Sequence, residues 1–553
     1  MPALRSPLRR LRPLLAALPL LAALPALPVL AALPLLAALP ALAGAAPPAA
    51  SPAGVSAPPL LVPRPLFVPP ALVAGAASAA PSSPVAPIPV QAALTPVALI
   101  PVQAALTQEV GRTFKHAAAI GINIVDVSTG QTVFTYHADD PRVTASNTKL
   151  FTTAAALDAL GPDYLFETRL LARGRLADGV LGGDLGVVGG GDPNISGRAY
   201  DGDPYAVFRG WARELRARGV RRVEGDVYLD AGLFEAQQIH PDWPREQLAT
   251  WYEAPVAALS FNDNCILVRV QPGRRGGPAR VETVPALRLF QIANSARTTK
   301  SRRQNHLVVT RQGERLIVAG QIWERAGPFD VWVSVPDAVR YFGAALVAAL
   351  GEEGVQVLGR VVPVPHLPGP MWERVAVHRS GLLDTIRIAN KRSQNFYAES
   401  LIKLLGARRC GEGSWHQGVH AVAEFLAGLG VAPGTFTMVD GSGLSRADRF
   451  TPRQMTQLLQ HMFHHRWASE FVQSLPSSGE SDASLHTRML QPPYRGNVYA
   501  KTGTIEGVSA LSGYARAVSG RIYAFSILLN RTRGVWLARQ DQDRMVMALI
   551  DHG

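Results

Sequence analysis

Cysteine is almost absent from this 553-residue chain: Cys265 and Cys410 are the only two. Two thiols cannot make the bridge framework that holds small secreted domains together, so stability must come from packed cores. Whether the two pair is not readable from their positions. Lysine is nearly as scarce, with six against forty-nine arginines. The formal net charge is +13, and it falls to +9 without the four arginines of the first twelve residues. Such a balance favours an anionic surrounding like a cell wall. It does not point to nucleic acid, because there is no basic helix and no stripe of interleaved aromatic and basic residues. A metal site is also missing. His461, His464 and His465 lie near helical spacing but without carboxylate or cysteine partners.

What is present begins with Arg5, Arg9, Arg10 and Arg12 and no acid, followed by an apolar run from Leu14 to Ala46 that ends in small residues. This is the pattern of a secretory signal, residues 1–45, with cleavage near 43 to 45 and export to a periplasm or cell envelope. Pro19, Pro25, Pro28, Pro34 and Pro40 would break a straight spanning helix. Membrane contact is therefore expected only through this segment, and only if it stays uncleaved. Residues 46–107 are rich in Pro, Ala, Val and Ser, with Ile-Pro-Val-Gln-Ala-Ala-Leu-Thr at 88–95 and again at 100–107. They read as an extended low-complexity tether.

The chemistry centres on Ala145 to Leu160, read as a helix. Ser146 and Lys149 stand three apart and share one face, and the residues after them are apolar nearly all round, as in a buried helix. A serine hydroxyl is too weak a nucleophile without a base, so Lys149 must spend time neutral. Burial and a second cation both lower a lysine pKa; an arginine does not give up its proton in a protein. Ser-x-x-Lys gains its weight from Ser393-Gln394-Asn395 and Lys501-Thr502-Gly503, which follow in the same order and complete the set of serine penicillin-binding enzymes. Two of the six lysines fall in these motifs.

Around them, Ile120 to Val127 and Gln131 to Tyr136 read as a hairpin. Leu382 to Ala389 and Phe396 to Leu405 read as helices flanking Asn390 to Asn395. Asn497 to Thr504, Val508 to Val518 and Arg521 to Leu529 read as strands, and Val535 to Ile550 as a closing helix. Residues 173–375 show short alternating strands between Gly and Pro turns. This predicts an α+β class: a mostly antiparallel sheet with helices on both faces, built from 108–172 and 376–553 around a β-rich insertion at 173–375.

Together with Leu160-Gly161-Pro162-Asp163-Tyr164, Gly189-Gly190-Gly191-Asp192-Pro193, Ser260-Phe261-Asn262-Asp263-Asn264 and Asp440-Gly441-Ser442-Gly443-Leu444-Ser445-Arg446, these words resemble the D-alanyl-D-alanine carboxypeptidase/endopeptidase family typified by penicillin-binding protein 4, the S13 serine peptidases. The match runs over nearly all of residues 110 to 550. It implies a penicillin-binding/β-lactamase-like transpeptidase domain, cleavage of peptidoglycan stem peptides through an acyl-serine, covalent inhibition by β-lactams, and no cofactor. It also implies Ser146 as nucleophile, Lys149 as base and Ser393 as proton relay. Asn395, Lys501, Thr502, Gly503, Thr504 and Arg446 would bind substrate, with the N–H groups of Ser146 and Thr504 as the oxyanion hole. Two departures touch specificity. Gln247 stands where relatives carry an acid for the amino group of diaminopimelate, with Tyr252 as a nearby wall, and Glu506 stands where some carry glutamine. The alternatives are a β-lactamase on the same fold, which lacks a Glu-x-x-Leu-Asn pattern after Ser393, and a non-catalytic wall-binding protein, against which every motif position is intact.

Overall fold

A computed structural model describes residues 100–553. The signal segment and most of the tether lie outside the described residues. Among the described residues no helix is long and apolar enough to cross a membrane.

The centre is a five-stranded sheet in the order Val498–Ile505, Val508–Arg516, Ile522–Thr532, Ala117–Asp126, Thr132–Tyr136. Every neighbouring pair in it is antiparallel. Ile522–Thr532 is buried without a break from Tyr523 to Asn530, which means both of its faces are covered. One face packs on Ile100–Thr113 and Val535–His552 through Val102, Leu106, Val110, Phe525, Val546 and Leu549. The other supports Lys149–Leu160, Leu382–Lys391, Asn395–Arg409 and Pro452–His464 around Phe151, Leu157, Leu401, Leu458 and Tyr514. The predicted layering of helices on both faces is what the chain adopts.

The tether read as ending at 107 ends earlier. The helix Ile100–Thr113 takes in the second copy of Ile-Pro-Val-Gln-Ala-Ala-Leu-Thr. Val102, Leu106 and Val110 recur every four residues and form one buried stripe, while Pro101 falls in the first turn, where its missing N–H leaves no bond unmade. Composition alone hid this spacing.

The insertion leaves and returns along one ribbon. Leu165–Ala177 and Glu373–Gly381 pair antiparallel from Leu165 opposite Gly381 to Ala172 opposite Glu373. Between its strands it carries two α-helices, Ala206–Ala217 and Ala338–Glu352. A first lobe lays Ala206–Ala217 and Ala338–Glu352 on a mixed seven-stranded sheet, with Val180–Val188 and Val361–Val364 both parallel to Val227–Asp230. Val207, Phe208, Trp211, Ala212 and Leu215 give the first of these helices its buried face, a 3.6-residue period that the frequent Gly and Pro turns around it obscure. A second lobe, Cys265 to Ser334, stacks Phe329–Ser334, Cys265–Gln271 and Arg280–Val284 against a second sheet centred on Arg315–Trp323, with Ile266, Val268, Leu316 and Val318 between them.

Leu106 is fully buried against the terminal helix layer, so Leu106→Ala is expected to cost about 2–5 kcal/mol. Denaturant unfolding checks this; a cost near zero would show that the helix does not belong to the fold.

Candidate active site

Ser146 lies in one 3-10 turn, Ala145–Thr148, and the α-helix starts only at Lys149. The sequence predicts a single helix from Ala145. Ala145, which opens the turn, sits at φ +45, a left-handed conformation that costs a non-glycine residue about 1–3 kcal/mol and has to be held by its surroundings. Gly443 supplies part of that hold, because a Cβ there would come 1.9 Å from the Ala145 carbonyl oxygen.

Lys149 is completely buried. Its Nζ is 2.9 Å from Ser146 Oγ, 2.7 Å from Asn395 Oδ1 and 2.8 Å from the Ser442 carbonyl oxygen. The last two partners only accept. A neutral amine has two N–H bonds and one lone pair, so it satisfies both of them and turns the lone pair to the Ser146 hydroxyl. Burial brings the Lys149 pKa down to about 7, against the upward pull of the Glu399, Asp440 and Asp448 carboxyls. Lys501 is held well below the ordinary lysine range, first by burial and then by Lys149.

Lys501 rises from the edge strand Val498–Ile505 and donates to Ser393 Oγ at 2.8 Å and to the Thr502 carbonyl at 2.8 Å. Ser393 occupies the short connection between Leu382–Lys391 and Asn395–Arg409 at φ +57, a second left-handed residue at the site. Ser393 and Asn395 thus meet different lysines, Lys501 and Lys149 respectively, although two residues apart. The hydroxyl expected to relay the proton is bonded to Lys501.

The profile of the D-Ala-D-Ala carboxypeptidase 3 (S13) family matches residues 104–550. The chain belongs to this family. Among S13 relatives, a D-alanyl-D-alanine carboxypeptidase of Actinomadura sp. (strain R39) is 35% identical over 436 residues, covering 75% of this chain and 78% of that one. The D-alanyl-D-alanine carboxypeptidase DacB of Haemophilus influenzae is 27% identical over 418 residues, covering 74% and 85%. The crystal structure of penicillin binding protein 4 (dacB) from Haemophilus influenzae superposes with a TM-score of 0.70 at 24% identity, over 80% of this chain and 98% of that one. The penicillin-binding fold expected from the sequence is therefore the fold observed.

The other residues expected from the sequence to bind substrate have partners of their own. Thr502 Oγ1 donates to Ser484 Oγ at 3.0 Å, and Thr504 Oγ1 accepts from Arg539 at 3.2 Å. Arg446 is bonded not to an acid but to the Glu506 backbone carbonyl, at 2.9 Å. Gly503 stands where the edge strand passes close to the Ser146 turn. A Cβ there would meet the Thr144 carbonyl oxygen at 2.7 Å and Asn147 Oδ1 at 3.1 Å, so the missing side chain lets the edge strand close on the Ser146 turn. Gln247 accepts the Tyr252 hydroxyl at 3.0 Å, and the Tyr252 carbonyl accepts from Asn395 at 2.9 Å. The adjacent Glu253 is buried, and burial, then Glu246, pushes its pKa up to about 8. Cys265 and Cys410 are both free thiols. His464 and His465 are bonded to the Val127 carbonyl and to Asp158.

Sequence reasoning missed the support behind Lys149. Asp440 is buried and accepts from the backbone of Ser442, Gly443 and Ser445 at 3.0, 2.6 and 2.7 Å and from Trp243 Nε1 at 3.0 Å. It folds the loop whose Ser442 carbonyl receives Lys149. Glu399 accepts from the Gly441 N–H and Trp415 Nε1 behind the same loop. The Asp-Gly-Ser-Gly spacing was the available signal for Asp440, an acid whose side chain caps the N–H groups that follow it. Asp440→Ala leaves four buried donors unpaired at about 1–3 kcal/mol each. A stability loss of at least about 3 kcal/mol is expected by denaturant unfolding, with a smaller loss for Asp440→Asn, which keeps one acceptor oxygen.

Proposed function

We propose that this protein is a serine D-Ala-D-Ala carboxypeptidase/endopeptidase acting on peptidoglycan stem peptides, with 100–172 and 376–553 as its catalytic domain, split by the insertion 173–375. The single observation that carries the reading is the fully buried Lys149 amine set 2.9 Å from Ser146 Oγ. Ser146 Oγ attacks the carbonyl before the terminal D-Ala, and its proton passes to neutral Lys149. The carbonyl oxygen takes negative charge between the N–H groups of Ser146 and Thr504, where each donor contributes about 3–4 kcal/mol. The C–N bond then breaks as the amine receives a proton through Ser393, fed by the two lysines. Water attacks the acyl-serine by the reverse path and frees Ser146. Lys501 and Thr502 bind the substrate carboxylate, while Asn395 and Arg446 border the peptide. Gly503 brings the edge strand within reach.

A β-lactam presents its carbonyl in the same place and leaves a stable acyl group, so penicillin labels rather than being turned over. Gln247 presents an uncharged amide beside Tyr252, which supports a substrate pocket that does not require a free amino group. The N-terminal pattern supports export to the periplasm or envelope.

Mass spectrometry of muropeptides incubated with the protein is expected to show release of one D-Ala, or of monomers from cross-linked dimers; unchanged muropeptides would overturn the reading. Ser146→Ala is expected to abolish penicillin labelling. Labelling should also rise with pH through about 7, because neutral Lys149 is the working form and burial lowers its pKa to that range. Lys149→Arg should remove labelling at every pH, since its guanidinium stays charged.

A further inference from the structure

The basic balance of the chain is not spread over the fold. The lobe from Cys265 to Ser334 holds twelve Lys and Arg against four Asp and Glu, while the rest of the described residues hold thirty-eight of each. The whole excess of the folded part therefore sits on this one lobe. Ten of the twelve are exposed, Arg269 and Arg311 being the exceptions. Among the described residues none of these ten is in an ion pair, whereas Arg269 pairs with Asp330 and Glu282. Concentrated, unpaired guanidinium groups on a small domain build a field that attracts a polyanionic surface.

A second observation selects the kind of surface. Val284, Ile292, Val308, Phe329 and Trp332 are each 38–46% exposed, five large apolar side chains within the same lobe. At one end of its two sheets a cavity of about 380 Å³ opens, lined by His306, Leu307, Ile322, Pro328 and Phe329 among others. Its rim is cationic. Arg302 and Arg303 form the turn just before the lining residue Asn305, and Arg325 directly precedes Ala326, another lining residue. The Arg302 guanidinium lies 5.9 Å from the centre of the Trp323 ring, and the Trp323 N–H is bonded to Asn305 Oδ1, which fixes the arginine turn to this end.

We infer that this end of the second lobe docks on a lipid bilayer bearing anionic headgroups, with Arg302, Arg303 and Arg325 meeting phosphate and Phe329 entering the interface. Basic side chains near an anionic leaflet each add attraction that salt screens, and exposed aromatic and aliphatic groups find their non-aqueous partner in the interfacial layer. A hydrated anionic wall polymer would satisfy the charges but leave the exposed Phe329 ring at this end in water, so the bilayer is the better fit. Such docking is separate from any contact made by the N-terminal segment, and it does not involve the Ser146 site.

The test is sedimentation of the full chain with phosphatidylglycerol/phosphatidylcholine vesicles and with pure phosphatidylcholine vesicles, at low and high salt. Expected are binding to the anionic vesicles that weakens with salt, and at least about tenfold weaker binding for R302E/R303E/R325E. F329S is expected to weaken binding at all salt concentrations. An N-terminal anchor alone would hold both vesicle types equally and ignore the lobe substitutions, and that result overturns the inference. So does arginine-dependent binding to purified peptidoglycan without binding to vesicles. Penicillin labelling of each variant at the rate of the parent shows that the fold is intact and keeps this outcome distinct from a failure of the peptidase reading.

Discussion

The dehydration of one ammonium group is the constraint on which the site depends. A lysine in water holds its proton at neutral pH; in a dry interior the charged form loses its solvation and the neutral form gains ground. Lys149 reaches that state at the floor of a sheet-and-helix core, with a second buried lysine opposing its charge. Three carboxyls pull the other way, and the balance leaves the amine near the point where it can both take and return a proton. Burial pushes the carboxyl pKa of Glu399 up to about 7 and that of Asp448 well above the carboxylate range. Glu399 therefore spends part of its time uncharged at neutral pH, which limits how strongly it can hold the proton on Lys149.

Position matters as much as protonation. Lys149 has no slack: each of its three partners comes from a different stretch of chain, and each stretch is fixed by its own device. The Ser146 turn is held by strained Ala145 against Gly443. Asn395 is anchored through its amide to the Tyr252 carbonyl of the insertion, and the Ser442 carbonyl is set by the four bonds of Asp440. The stretch around Tyr252 is therefore part of the site's geometry.

Much of this was legible in the sequence. Ser146, Lys149, Ser393, Asn395 and Lys501 were named from short words in a fixed order, and the structure gathers them around two lysines. The hairpin, the closing strands and the terminal helix were readable because their apolar periods are long and uninterrupted. Three features were not. The helix Ile100–Thr113 lies in a stretch whose composition resembles the tether before it, and only its four-residue spacing sets it apart. The helices of the insertion are amphipathic segments among many turn residues. Glu399 acts through a backbone N–H and through space, and no local pattern announces that it lies behind Lys149; Asp440 had its Asp-Gly-Ser-Gly spacing as a signal, but that spacing does not name the lysine it serves.

The order of strands in the central sheet has a temporal consequence. Ala117–Asp126 has Ile120 opposite Leu529, so one side of an early-emerging strand stays open until nearly the last residues of the chain arrive. Pairings this distant in sequence are slow to close and leave an unpaired edge exposed meanwhile. A chain made start-first would thus wait with Ser146 in place but with neither the lysine pair nor the edge strand assembled, and the site would form only once synthesis is complete.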